Sequence, residues 1–219
     1  MRRTLVRWVV GGACAALCLG PAVVTPAVSA ATPQPLPPAQ AQALVDGPAV
    51  QSPVVTRPVS AQEALAAASL PGATVYVAPG LSLAQAVGLG SAVSLSTGPS
   101  AVVRPAAAAA PACAANVMTT SWGTWPYDQH IADTTYWCAV PGDHITYHSS
   151  SVNATGTFCA TSWTTSQQIS GGIGYSWFVM RSSAGWSCPT VVPYISLHPS
   201  HYEDVSRNAW GSTSLVGTG

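Results

Sequence analysis

Four residues close to the C-terminus could carry acid–base or metal chemistry. They lie in the stretch HPSHYED, where His198 and His201 are three residues apart and are followed by Glu203 and Asp204. Histidine is the most common general acid or base in proteins, and neutral imidazole is a common metal ligand. Because Pro199 favours a turn, we expect the two imidazoles to lie near a carboxylate. The stretch predicts the catalytic residues of a small hydrolase, with a structural or surface role as the alternative.

A second stretch, WGTWPYDQH, combines flat aromatic side chains with polar ones. An exposed aromatic ring with polar groups at its rim suits sugar rings and peptide chains. The alternative is that these rings form the core of a small domain, because each buried Trp removes on the order of 200 Å² from water. The candidate binding residues are Trp122, Trp125, Tyr127, Asp128 and His130.

The sequence predicts no metal site and no cofactor. His144 and His148 would lie about 13 Å apart on an extended strand, which is too far to share one ion. The cysteines after residue 30 lack the short Cys-x₂₋₄-Cys spacing of zinc sites, and the chain has no His-Glu-x-x-His motif. No glycine-flanked serine nucleophile motif is present either.

Four cysteines, Cys113, Cys138, Cys159 and Cys188, predict two disulfides in an oxidising compartment. Three pairings are possible. If the strands with Cys138 and Cys159 flank a third strand in a meander, they are about 9.6 Å apart. Disulfide-bonded Cα atoms rarely lie more than about 7 Å apart, so we favour 113 with 138 and 159 with 188.

Residues 113–219 read as short strands separated by turn residues. In HITYH the alternation places Ile145 and Tyr147 on one face and the histidines on the other, which predicts a strand with one buried side. GYSWFVM is apolar on both faces, which predicts a central strand. The predicted fold class is an all-β C-terminal domain, an antiparallel sandwich or small barrel braced by disulfides.

Residues 31–112 contain no Cys, Trp or His before Ala112 and are rich in Ala and Pro, which predicts a largely disordered linker or pro-region. Residues 59–103 have more pattern and form a possible small ordered unit. Ser60 with Glu63 and Ser82 with Gln85 have the spacing of helix caps. The stretches at 73–79 and 92–97 alternate as strands do.

Residues 1–30 have the organisation of a secretory signal peptide. Three arginines precede a short apolar run, and the stretch ends in AVSA. The apolar run is shorter than the roughly 20 residues that span a bilayer. We therefore expect cleavage after Ala30, secretion to the extracellular space, and no stable membrane insertion after cleavage.

Charge excludes nucleic acid as a partner. The chain has no lysine, and only Arg57, Arg104, Arg181 and Arg207 follow the predicted signal peptide. Nucleic-acid binding needs clustered cations against phosphate. The remaining hypotheses are a module that binds a glycan or cell-wall polymer, a small secreted hydrolase, and a secreted inhibitor or toxin; the binding module is preferred.

Overall fold

A computed structural model describes residues 33–88 and 111–219 of this chain. The predicted signal peptide at 1–30 and the predicted strand at 92–97 lie outside the described residues. Strands dominate the rest. The three helices are α1 (Pro38–Val45), α2 (Ala61–Ala67) and α3 (Leu83–Ala86). The strands are β1 (Val50–Gln51), β2 (Val55–Val59), β3 (Thr74–Val77), β4 (Ala112–Trp122), β5 (Gln129–Ala139), β6 (Ile145–Gly156), β7 (Ala160–Gly171), β8 (Trp177–Pro189), β9 (Ser196–Leu197), β10 (Ser200–Asn208) and β11 (Thr213–Thr218).

The strands form two antiparallel sheets. In sheet A a meander of β4, β5 and β6 is flanked by β1 and β2, which both pair with β4, and by β3, which pairs with β6. In sheet B the order is β11, β10, β8, β7, and the short β9 pairs with the end of β8. The mostly β, antiparallel class predicted from the sequence is therefore present.

Side-chain hydrogen bonds join the two sheets at both edges. Thr56 of β2 and Thr213 of β11 lie 3.1 Å apart between their hydroxyl oxygens. At the other edge the Thr74 hydroxyl donates to the Ser166 carbonyl oxygen, and the Gln168 backbone N–H donates to the Tyr76 hydroxyl. In the described residues the sheets thus stay separate, and the barrel alternative does not form.

The face of sheet A that points away from sheet B is half covered by α2 and α3. Ala64 and Ala86 are fully buried against Tyr147 and the cysteines of β4 and β5. As a result β6 is buried on both faces, and His148 is as inaccessible as Ile145. The prediction of a single buried side for this strand was wrong, because periodicity shows which residues share a face and not what covers that face.

Residues 33–88, which lie within the predicted linker or pro-region, supply three helices and three strands of sheet A. The caps are as expected: the Ser60 hydroxyl accepts from the Glu63 N–H, and Ser82 and Gln85 form a reciprocal capping box. The segment has few large side chains, and strands β4 to β6 of sheet A provide them. The Tyr147 hydroxyl donates to the Ala64 carbonyl oxygen at 2.8 Å, and small alanines let the helices approach the sheet closely.

Two disulfides brace the fold. Cys113 and Cys138 face each other across β4 and β5 with Cα atoms 4.0 Å apart, and Cys159 joins Cys188 with Cα atoms 4.1 Å apart. These are the two pairs that the sequence favoured. The second disulfide joins the residue that precedes β7 to the end of β8, and so it closes one end of the β7–β8 pair in sheet B.

Candidate functional sites

The stretch 122–130 is mostly core, with one exposed aromatic. Trp122 is 3% exposed and Tyr127 is fully buried, whereas Trp125 is 61% exposed. The Tyr127 hydroxyl donates to the Pro189 carbonyl oxygen and accepts from the Leu36 N–H, both at 2.9 Å. Neither buried ring can stack on a ligand, so Trp122 and Tyr127 are withdrawn from the predicted binding set.

The tight β4–β5 connection is the reason why two of these aromatic rings are buried and one is exposed. Gly123 has a φ of 74°, in the left-handed region that favours glycine. A Cβ there would lie 2.7 Å from the Tyr127 carbonyl oxygen and 2.9 Å from that of Leu44. The turn thus brings Trp122 and Tyr127 back into one core cluster while Trp125 projects into solvent.

Asp128 and His130 stay partly exposed, and the fold adds a third residue to them. The His130 Nε2 lies 2.7 Å from Asp128 Oδ2, and its Nδ1 lies 2.7 Å from the Ser121 hydroxyl oxygen. Ser121 and His130 are direct partners across β4 and β5. Sequence reasoning missed Ser121, although counting outward from the β4–β5 turn would have aligned it with His130.

Hydrogen bonds link the three side chains in one series, in which the Asp128 carboxylate favours one tautomer of His130. Partial burial, the largest single effect, acts to raise the pKa of Asp128. The hydrogen bonds with His130, Thr157 and the backbone N–H together outweigh it, so the pKa lies below its ordinary value. The ionised carboxylate accepts from Nε2–H. A neutral imidazole so held presents the Nδ1 lone pair to the Ser121 hydroxyl.

The C-terminal candidates do not converge. The stretch that was expected to turn at Pro199 runs directly into β10, so side chains alternate between faces. His201 and Glu203 point between the sheets, Asp204 points to the opposite face, and His198 is exposed in the preceding loop. The predicted acid–base cluster of His198, His201, Glu203 and Asp204 is therefore not assembled in one cleft.

Both inward-facing candidates have core environments. His201 stacks on the Trp122 ring with centroids 4.8 Å apart, and burial lowers the pKa of this imidazole. Glu203 is fully buried and accepts a short hydrogen bond from the Thr120 hydroxyl. Burial, reinforced by the nearby charge of Asp133, raises the pKa of Glu203 to about 8, with Arg207 opposing. This carboxyl group is therefore neutral near pH 7.

A buried ion pair lies beside Glu203 between the sheets. Arg207 Nη2 donates to Asp133 Oδ2 at 2.8 Å, and both side chains are inaccessible. Arg207 Nε also donates to Asn116, and the hydroxyls of Thr135 and Ser150 donate to Asp133 Oδ1. Both carboxylate oxygens of Asp133 therefore have hydrogen-bond partners within the protein, and this group does not reach a substrate.

One sheet face carries a different combination of side chains. On the side of sheet B that points away from sheet A, the Trp163 indole lies over Gly185, and a Cβ at position 185 would overlap it. Trp163 is 46% exposed. In adjacent register rows lie polar side chains from β7, β8 and β10. We call this surface the sheet B platform, and it consists of Trp163, Thr165, Gln167, Arg181, Tyr202 and Asp204.

The polar half of the sheet B platform is rigidly organised. Arg181 donates through Nε and Nη2 to the two carboxylate oxygens of Asp204, each at 2.7 Å. The guanidinium also lies 4.3 Å above the Tyr202 ring centroid. Gln167 is the register partner of Arg181 on the edge strand β7. Hydrogen-bond donors and acceptors therefore lie on the same face of sheet B as the exposed indole.

Three further observations limit the kind of site. The described residues contain no group of three His, Cys, Asp or Glu side chains able to hold a metal ion. No helix in the part of the chain that the structure describes is long and apolar enough to cross a membrane. Comparison with known protein families, with curated proteins and with solved structures finds no match.

Proposed function

We propose that this chain is a secreted protein whose β domain binds a glycan or another cell-surface polymer through the sheet B platform. The observation that carries the proposal is the exposed Trp163 indole packed over Gly185, with polar side chains in the neighbouring register rows. Sugar rings combine apolar faces with hydroxyl edges. An aromatic plane with donors and acceptors at its side matches that chemistry.

Secretion is supported by the basic, apolar and small-residue organisation of residues 1–30 and by two disulfides. The separation of two exposed indoles on this surface favours a long polymer over a short ligand. Trp163 on β7 and Trp177 at the start of β8 lie at opposite ends of the same outer face. Eight residues separate Trp177 from Gly185, which is about 26 Å of strand.

The alternative hydrolase built on His198, His201 and Glu203 loses support, because two of these residues face the core and the third does not approach them. The inhibitor or toxin hypothesis has no specific contact in its favour among the described residues. Asp128 and His130 from the predicted binding set lie on sheet A and so belong to a different surface.

The proposal is tested by co-sedimentation of the full chain with insoluble peptidoglycan, chitin and cellulose. W163A should weaken binding to the retained polymer at least about tenfold, which corresponds to about 1.4 kcal/mol. G185V keeps the Trp163 residue, but the new side chain displaces the indole ring, so this variant should weaken binding to a similar extent. The matched control is W125A, which removes an indole that is more exposed (61% against 46% for Trp163) from the β4–β5 turn of the other sheet.

Equal losses in W125A and W163A, or unchanged binding in both platform variants, would contradict the proposal. Thermal unfolding of each variant shows whether a loss of binding reflects misfolding. A folded W163A that binds the polymer normally would exclude the sheet B platform as the binding surface. Failure of the wild type to bind any of the three polymers would restrict the proposal to other surface polymers and remove the glycan class.

A further inference from the structure

The outer face of sheet A carries a second arrangement that the proposed binding function does not use. Ser121, His130 and Asp128 form a continuous hydrogen-bonded chain with both links at 2.7 Å. We propose that Ser121 is a nucleophile activated by His130, that Asp128 positions the imidazole, and that the site cleaves esters of small carboxylic acids.

The hydrogen bonds connect the three groups in the order that nucleophilic catalysis requires, which is hydroxyl, imidazole and carboxylate. A nucleophilic hydroxyl needs an adjacent base within hydrogen-bond reach, and the base needs a third group that fixes its tautomer. Asp128 accepts from Nε2–H of His130, so Nδ1 is left as the acceptor for the Ser121 proton. The arrangement is recognised by roles and geometry and not by the order of residues in the chain.

The reaction would proceed in two balanced steps. The Ser121 oxygen bonds to the ester carbonyl carbon as its proton passes to His130, the bond from that carbon to the alcohol oxygen breaks, and the proton leaves with the alcohol. Water then adds to the acyl-serine and gives a proton to His130. The carboxylic acid departs, and the same proton returns to Ser121.

The groups next to Ser121 suit an ester with a small acyl group. The His130 side chain is 35% exposed, so the site is open to solvent and is not enclosed in a cleft. Val50, the register partner of Ser121 on β1, is exposed and offers one apolar contact for a methyl or ethyl group.

The expected turnover is slow. Ser121 pairs with β1 on one side and β5 on the other, so the backbone amides of β4 are committed to the sheet. Stabilisation of the negatively charged oxygen of the intermediate by oriented hydrogen-bond donors is often the largest contribution to catalysis. At this site, water molecules would provide most of these donors. A reactive phosphonate, which needs little such help, is therefore the primary probe.

The experiment treats the full chain with a fluorescent fluorophosphonate and, separately, with p-nitrophenyl acetate. Wild type should be labelled on Ser121, identified by peptide mass. S121A should lose labelling, and H130Q should reduce the labelling rate at least about 100-fold, the size of general-base contributions. The matched control is S151A, which removes a serine hydroxyl from β6 on the same sheet face and should be labelled like wild type.

A positioning role for Asp128 has its own readout. The imidazole N–H held by Asp128 should give a slowly exchanging proton signal in NMR spectra of wild type and S121A, and D128A should lose it. Absence of labelling in folded wild type, or labelling that persists in S121A, overturns the proposal. Because the sheet B platform lies on the other sheet, W163A should not change labelling, so failure of one proposal is distinguishable from failure of the other.

Discussion

Replacing Glu203 by glutamine should change how stability depends on pH. Glu203 is fully buried between the sheets, where the Thr120 hydroxyl donates to one carboxyl oxygen. The other carboxyl oxygen, Oε1, has no hydrogen-bond partner among the described residues. Glutamine preserves the shape and the acceptor for Thr120 but cannot ionise. The variant therefore isolates the cost of charging this position.

The magnitude follows from the pKa of Glu203, which burial raises from 4.5 to about 8. The folded state then holds a proton that the unfolded state has lost, so stability is full below pH 4.5 and falls as pH rises to about 8. Each pH unit corresponds to about 1.4 kcal/mol. The free energy of unfolding of E203Q should therefore rise relative to wild type by about 4 kcal/mol between pH 5 and pH 9.

His148 contributes an opposing effect in acid. It is buried between the rings of Tyr76 and Phe178, and burial lowers its pKa from 6.5 to about 4, although the Gln168 hydrogen bond opposes this. Stability from this group is full above pH 6.5 and is lost as pH falls toward 4. Wild type should thus be nearly flat from pH 4.5 to 6.5 and lose about 2 kcal/mol from pH 6.5 to 8.

The assay is urea unfolding followed by tryptophan fluorescence at pH 5, 6, 7, 8 and 9, with disulfides intact. E203Q should show stability that rises up to pH 6.5 and then stays level. D46N, which removes an exposed carboxylate, serves as the control and should run parallel to wild type. If the difference between E203Q and wild type is constant across this range, Glu203 is ionised in the folded state and the reasoning is refuted.

Three further outcomes are expected. W122A should lower the free energy of unfolding by about 3 to 5 kcal/mol and W125A by less than about 1 kcal/mol, measured by urea unfolding, since only the first ring is buried. R207M should cost about 3 to 5 kcal/mol by leaving the Asp133 charge unpaired, and the double variant R207M/D133N should recover part of this loss. Limited proteolysis should leave residues 33–88 bound to the β domain as a protected fragment, whereas rapid removal of this segment would contradict its pairing with sheet A.

Local patterns predicted much of this fold correctly. The helix caps at Ser60 and Ser82 could be read from spacing alone, because capping involves residues three apart in the chain. The strand character of 113–219 followed from alternation and turn residues. The two cysteine pairs favoured from the sequence are present, but the assumed meander is not, because Cys138 lies in sheet A and Cys159 directly precedes β7 of sheet B.

The sites could not be predicted in the same way, because they depend on pairing between distant segments. The exposure of Trp163 depends on Gly185, which is 22 positions away and shares its register row. The burial of Glu203 depends on Thr120, 83 positions earlier in the chain. Sequence spacing within HPSHYED placed four polar side chains near each other, but strand alternation sends neighbours to opposite faces.

The distribution of polar groups determines where function can reside in this domain. The interior holds charges, but Arg207 and Asp133 pair with each other and with three further side chains, which fixes them in structural roles. The covered half of sheet A is closed by α2 and α3. Chemistry is left to the open outer half of sheet A and to the sheet B platform, which are separated by both sheets and an interior about 10 Å thick. If both proposals hold, a sugar unit stacked on Trp163 therefore cannot present its own ester to Ser121 of the same chain. Binding and ester cleavage would then act on different segments of a polymer or on different molecules.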